Sequence, residues 1–110
     1  INNAGAGAWK HVEETAPSEA YQMMAVPYQA AFSCTTILMP SLMRSRGNIL
    51  NITSAASTVP FRGAVGYATA RAAVKSFSGY LEHDVRQLGI GVTLLNAMEI
   101  SGTEYFSNAP

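Results

Sequence analysis

The sequence predicts an α/β fold in which helices flank a parallel sheet, and three observations predict it. Two short apolar runs of strand character, residues 48–53 and 91–96, alternate with two long stretches of helical periodicity. Glycines at 47, 89 and 91 punctuate the joins between them. The opening Ile1-Asn2-Asn3-Ala4-Gly5 reads as the end of a further strand running into a loop. The order strand end, helix, strand, helix, strand, loop implies parallel strands joined by right-handed helical crossovers.

Residues 4–17 hold Gly5, Gly7 and Pro17 among polar side chains and read as loop. Ser18-Glu19 open a helical pattern that runs to about Arg44. Its apolar positions (Tyr21, Met24, Tyr28, Phe32, Thr35, Leu38, Met39, Leu42 and Met43) follow a three-four repeat. Pro27 and Pro40 fall inside that pattern. Each removes a backbone donor and crowds the preceding turn, so a kinked or broken helix is expected. Gly47 is placed to end it as a C-terminal glycine.

Residues 48–53 form the next strand, followed by a loop of small residues from Ser54 to Gly63. A second helix is expected over residues 64–88, with Val65, Ala72, Ala73, Val74, Phe77, Tyr80, Leu81, Val85 and Leu88 as its apolar positions. Gly89 and Gly91 stop it. The continuous apolar run that follows suits a strand buried on both faces. In open parallel sheets, ligands sit beyond the carboxyl ends of the strands. Those ends here hold Asn3-Ala4-Gly5, Thr53-Ser54 and Asn96-Ala97-Met98, so three loops converge on one crevice.

Length and composition bound the function. A chain of 110 residues suits one domain at most. With 48% hydrophobic and 13% charged residues it is core-rich, and it is expected to bury some faces against further chain or sister subunits. The net charge is +0 and the seven basic residues are scattered, which argues against a nucleic-acid footprint. No apolar run approaches a membrane span. Cys34 is the single cysteine, so neither an internal disulfide nor a thiolate zinc site is expected, and a reduced, cytoplasmic compartment is the default. The chain opens at Ile1 without an initiator Met or a signal peptide, and a natural N-terminal region is expected to precede it.

The chemistry concentrates at Tyr67 and Arg71, which share a helix face at i and i+4. A phenol beside a fixed cation is stabilised as the phenolate and can give or take a proton near neutral pH. Ser54, at the end of the preceding strand, can face the same crevice and hydrogen-bond a substrate oxygen. Hydroxyl, phenol and cation together suit a carbonyl becoming an alcohol, or the reverse. Taken alone, a helix with Tyr-x-x-x-Arg is commonplace, and most such tyrosines are packing residues.

The rest of the chain narrows the reading. Asn2-Asn3-Ala4-Gly5, then Gly47-Asn48-Ile49-Leu50-Asn51-Ile52-Thr53-Ser54, then Tyr67-Ala68-Thr69-Ala70-Arg71, resemble the short-chain dehydrogenase/reductase family. That family has an Asn-Asn-Ala-Gly turn, a strand ending in the catalytic serine, and Tyr-x-x-x-Lys. Thirteen residues separate Ser54 from Tyr67, the family's usual spacing.

The resemblance spans essentially the whole chain and implies a Rossmann-type doubly wound parallel sheet, here in part and without the N-terminal dinucleotide-binding half. It implies NAD or NADP as cofactor and a small carbonyl or alcohol substrate. Tyr67 would be the general acid/base and Ser54 would orient substrate. Asn3, Ala4 and Gly5 would lie against the cofactor with Tyr67 and Arg71. Ile100 and Thr103, after the last strand, would meet the nicotinamide. It also implies that the two long helices pack on their equivalents in a sister subunit, as a homodimer or homotetramer. The small residues Ala68, Ala70, Ala72 and Ala73 would allow close approach.

Four residues at three sites depart from the family pattern. Arg71 stands where the family has lysine; it keeps the charge, but a guanidinium does not give up its proton and so forbids a proton relay through it. Lys75 is two turns further, about 12 Å along the axis, and is not expected to substitute. Pro27 stands at the position of the family's helix asparagine, where it loses the amide but keeps a main-chain carbonyl and favours a kink. Ala97-Met98 replaces Pro-Gly, putting a side chain where backbone normally approaches the ligand.

These departures motivate a second reading, a dinucleotide-binding sensor or structural subunit without turnover. A third is that the 110 residues by themselves are inactive. His11 and His83 lack partners at metal-ligand spacing, Cys34 reads as a small core residue, and Trp9 and His11 read either as substrate contacts or as surface.

Overall fold

The computed structural model describes residues 1–5, 7–54, 60 and 62–97. After a 3-10 turn at Val12–Glu14, one helical run comprises α1 (Pro17–Met24), a π-turn (Ala25–Gln29) and α2 (Ala30–Ser45). Strand β1 (Asn48–Ser54), helix α3 (Val65–Val85), a 3-10 turn (Arg86–Leu88) and strand β2 (Gly91–Ala97) complete the order. β1 and β2 are parallel, in register from Asn48 opposite Gly91 to Ser54 opposite Ala97.

Asn2 forms a parallel bridge to Asn51. Its N–H donates to the Leu50 carbonyl at 2.8 Å, and its carbonyl accepts from the Ile52 N–H at 3.1 Å. The segment before Asn3 therefore lies beside β1 as the tail of a parallel strand, and three chain ends leave the sheet in one direction.

The helical run shows how its prolines are accommodated. Pro17 occupies the first helical position, where its missing N–H costs nothing. The Glu19 carboxylate accepts from the Ala16 N–H at 3.1 Å and closes the first turn. At Pro27 the ladder widens: the Ala30 N–H reaches back five residues to the Ala25 carbonyl. Pro40 sits within α2 without ending it. The expected disruption is thus a π-turn at one proline and none that stops the helix at the other.

The stripe that faces inward differs from the expected one. Met23, Pro27, Ala31 and Thr35 are buried at four-residue spacing, whereas Tyr21, Phe32, Leu38 and Met43 are exposed. Apolar residues surround this helix, so periodicity did not single out one face. Cys34, expected in the core, is exposed beside Thr35 for the same reason. The helix also ends differently: Arg46, not Gly47, takes the left-handed conformation (φ 50°), and Gly47 follows, its N–H on the Leu42 carbonyl at 3.2 Å.

The α3 helix buries Tyr67, Ala70, Arg71, Val74, Ser78, Leu81 and Val85, a stripe of three- and four-residue steps. Its lower half packs with Ile49 and Ile90 into one cluster, flanked by Met39, Leu42, Phe77 and Val92. Its upper half meets Met23, with Trp9 and Met24 alongside. Gly89, at φ 75°, turns the chain into β2. Burial of β2 on both faces is not found: Leu94 and Leu95, on opposite faces of the strand, remain 38% and 49% exposed. Among the described residues β2 pairs only with β1, which leaves its other edge and much of its surface open.

Candidate active site

The buried stripe of α3 places Tyr67 and Arg71 against the end of β1. Both are almost wholly covered, at 5% and 6% exposure, and so is Ser54 at 7%. A buried cation needs partners. Arg71 has its Nη1–H on the Ile52 carbonyl at 3.3 Å. Its guanidinium carbon lies over the Tyr67 ring, 5.6 Å from the centroid. The Thr53 hydroxyl donates to the Arg71 carbonyl at 3.0 Å and ties the helix to the strand one residue before Ser54.

The segment after the Asn2 bridge folds over these side chains. At Gly5 an added Cβ would run into the Arg71 guanidinium. At Gly7 it would come within 2.8 Å of the Tyr67 ring. Two residues further, the Trp9 indole lies 4.9 Å from the Tyr67 ring centroid, tilted by 38°. Glycine thus stands at the two places where backbone presses on the candidate site, and an aromatic ring stands at the third.

Beneath the Asn-Asn turn lies a polar chain that sequence reasoning missed. Asn51 has no exposed surface (0%). Its Oδ1 accepts from Asn2 Nδ2 at 2.7 Å, and its Nδ2 donates to Ser78 Oγ at 2.8 Å. The Ser78 hydroxyl donates in turn to the Val74 carbonyl at 2.8 Å. This chain pins the Asn2 strand end to β1 and to α3. Its only signal in the sequence is an asparagine set between Leu50 and Ile52.

Asn3, Ala4 and Gly5 emerge exposed from the strand end, with Gly5 beside Arg71. Lys75 is exposed and lines a different surface depression, with Ala72, Ser76, Gly79, Tyr80 and His83. Pro27 is buried in the π-turn. Met98, Ile100 and Thr103 lie outside the described residues, as does the loop at 55–59. His11 pairs with Glu14 at 3.1 Å, and His83 lies on that Lys75 surface. Among the described residues no three His, Cys, Asp or Glu side chains are grouped to hold a metal ion. Among those residues, no helix is long and apolar enough to cross a membrane.

Comparison with known proteins gives concordant results. The family model described as short chain dehydrogenase matches residues 1–109. Estradiol 17-beta-dehydrogenase 2 of Rattus norvegicus is 29% identical over 97 residues, which cover 87% of this chain and 26% of that protein. A probable NADP-dependent dehydrogenase of Haemophilus influenzae is 31% identical over 110 residues, covering 98% of this chain and 43% of that protein. A short-chain dehydrogenase from Streptomyces avermitilis, known by crystal structure, superposes with a TM-score of 0.82 at 26% identity, covering 92% of this chain and 38% of that one. The chain thus spans from about a quarter to less than half of the length of these relatives. Its two parallel strands and helices form part of a Rossmann-type α/β sheet.

Proposed function

The chain belongs to the short chain dehydrogenases, and on that basis we propose that it carries the catalytic part of an NAD(P)-dependent oxidoreductase acting on a carbonyl or alcohol. The observation that carries this reading is the buried Arg71 guanidinium over the Tyr67 ring, at the mouth of three parallel strand ends.

The residues present suit a nicotinamide dinucleotide. Arg71 has five N–H donors in a planar fork, and the Ile52 carbonyl takes one of them. Its other N–H groups can donate to hydroxyl oxygens. Asn3, Ala4 and Gly5 would line the same crevice, and Ile100 and Thr103 complete the proposed set. A nicotinamide bound there supplies or takes up the hydride at the substrate carbon.

Everything else falls to this chain's side chains. In reduction, Ser54 donates a hydrogen bond to the carbonyl oxygen and fixes its position. Tyr67 gives its phenolic proton to that oxygen as negative charge develops there. Arg71 supplies the positive field that stabilises the phenolate left behind. In the oxidising direction the same proton returns from the alcohol to Tyr67. Arg71 holds its own proton too tightly to pass it on, so Tyr67 is recharged by another route. Pro27 offers its main-chain carbonyl, at the π-turn, for the water that such a route needs.

The outer faces of α2 and α3 support a homodimer or homotetramer. Ile37, Leu38 and Tyr80 stand exposed on them, and covering such large apolar side chains favours association. A cytoplasmic setting, supported by the lone Cys34, belongs to the same proposal. The burial of Tyr67 favours one other reading, a dinucleotide-binding subunit without turnover. NAD(P)H oxidation by the full-length protein with a panel of aldehydes and ketones separates the two: turnover supports the enzyme, and tight cofactor binding without turnover supports the subunit.

A further inference from the structure

Tyr67 is covered from the side of the segment that follows the strand end. Gly5, Gly7 and Trp9 alternate along this strap, and all three meet α3 side chains. The glycines let the backbone rest on Arg71 and Tyr67. Trp9 alone adds a side chain, and its indole lies along the phenol with its centroid 4.9 Å away. The indole is half-buried, whereas the Tyr67 ring beneath is 5% exposed. Met23 backs the same cluster from α1. The indole therefore borders Tyr67 on the side of this strap.

We infer that Trp9 is a specificity-determining residue: its indole is the platform on which the flat, apolar part of a substrate lies while the oxygen reaches Tyr67. The preferred class is then aryl or planar cyclic ketones and their alcohols, over small aliphatic ones. An indole offers a large, rigid apolar face that favours offset or tilted stacking of a second ring. Positions 5 and 7 of the strap are glycine and add no side chain, so beside Met23 and Met24 the indole is the large ring packed on Tyr67. The inference rests on the oxidoreductase reading above.

The test uses the full-length protein with acetophenone and 2-butanone, in the wild type and in Trp9→Ala and Trp9→Leu. Wild type favours acetophenone, and Trp9→Ala lowers the acetophenone to 2-butanone ratio of kcat/KM by about tenfold, through KM for acetophenone. Trp9→Leu, which keeps apolar bulk and secures the fold, moves the ratio the same way. An unchanged ratio in a folded variant overturns the role of Trp9 and leaves the oxidoreductase reading standing.

If neither ketone turns over in the wild type, the oxidoreductase reading fails for these ketones, and binding decides about Trp9. Acetophenone then quenches the part of the fluorescence that Trp9→Leu removes, and 2-butanone does not. Equal or absent quenching overturns the inference.

Discussion

The guanidinium of Arg71 lies 5.6 Å from the centroid of the Tyr67 ring, one helical turn along the same buried face of α3. That single relationship joins a proton-carrying phenol to a permanent positive charge.

The proposed mechanism requires charge at position 71 and is less exacting about its chemical form. Arg71→Met leaves the Ile52 carbonyl without this donor and removes the field at Tyr67. Turnover falls by roughly a hundredfold or more, and stability falls by about 1–3 kcal/mol. Arg71→Lys restores the charge and retains most of the turnover. Steady-state kinetics and thermal melts of the three proteins check this, and equal rates in all three would remove Arg71 from the mechanism.

Gly5 is required for the placement of Arg71. A methyl group there meets the guanidinium directly, so Gly5→Ala displaces it. Overpacking of this kind costs about 1–3 kcal/mol. The accompanying drop in kcat exceeds that of Gly79→Ala, where an added Cβ meets nothing within 4 Å. Parallel kinetics of both variants measure the difference.

Asn51 holds the strand end in place. Asn51→Leu removes the acceptor of the half-buried Asn2 amide and one of the two bonds of the buried Ser78 hydroxyl, which keeps the Val74 carbonyl, a loss of about 1–3 kcal/mol. Denaturant unfolding reports the loss. Hydrogen exchange shows faster opening at Asn2 and Ile52, whose backbone bonds join the Asn2 strand end to β1. A variant as stable as wild type, with unchanged exchange, contradicts this role.

Glu19 at the start of α1 has its pKa lowered by the Lys10 hydrogen bond, with help from the Ala16 N–H. A depressed folded-state pKa means that this contribution is present above the unfolded carboxylate's range. It is lost as pH falls through the folded value. The pair is only partly covered, so the effect is small and screened by salt. Glu19→Gln flattens the acid limb of the stability profile at low ionic strength, and a profile identical to wild type argues against the pairing.

Much of this was legible in the sequence. Glycines and β-branched runs marked both strands, and the i, i+4 spacing placed Tyr67 and Arg71 on one face. The opening residues end a strand as read, and the structure pairs that end with β1. What escaped depends on tertiary neighbours. Four-residue burial through Met23, Pro27, Ala31 and Thr35 was hidden because apolar residues surround that helix, and Cys34 was misplaced with it. Asn51 and Ser78 are 27 residues apart, and only the packed fold shows that one satisfies the other. The contact of Trp9 with Tyr67 depends on how a loop turns back across α3, which no local periodicity records.

The most direct test of the central claim is NADH and NADPH oxidation by the full-length protein and its Tyr67→Phe variant, with aldehydes and ketones as acceptors and cofactor binding followed in parallel. The account predicts turnover in wild type that collapses by several orders of magnitude in Tyr67→Phe while cofactor affinity is preserved. Equal turnover in the two proteins would contradict it, because the proton would then come from a group other than Tyr67.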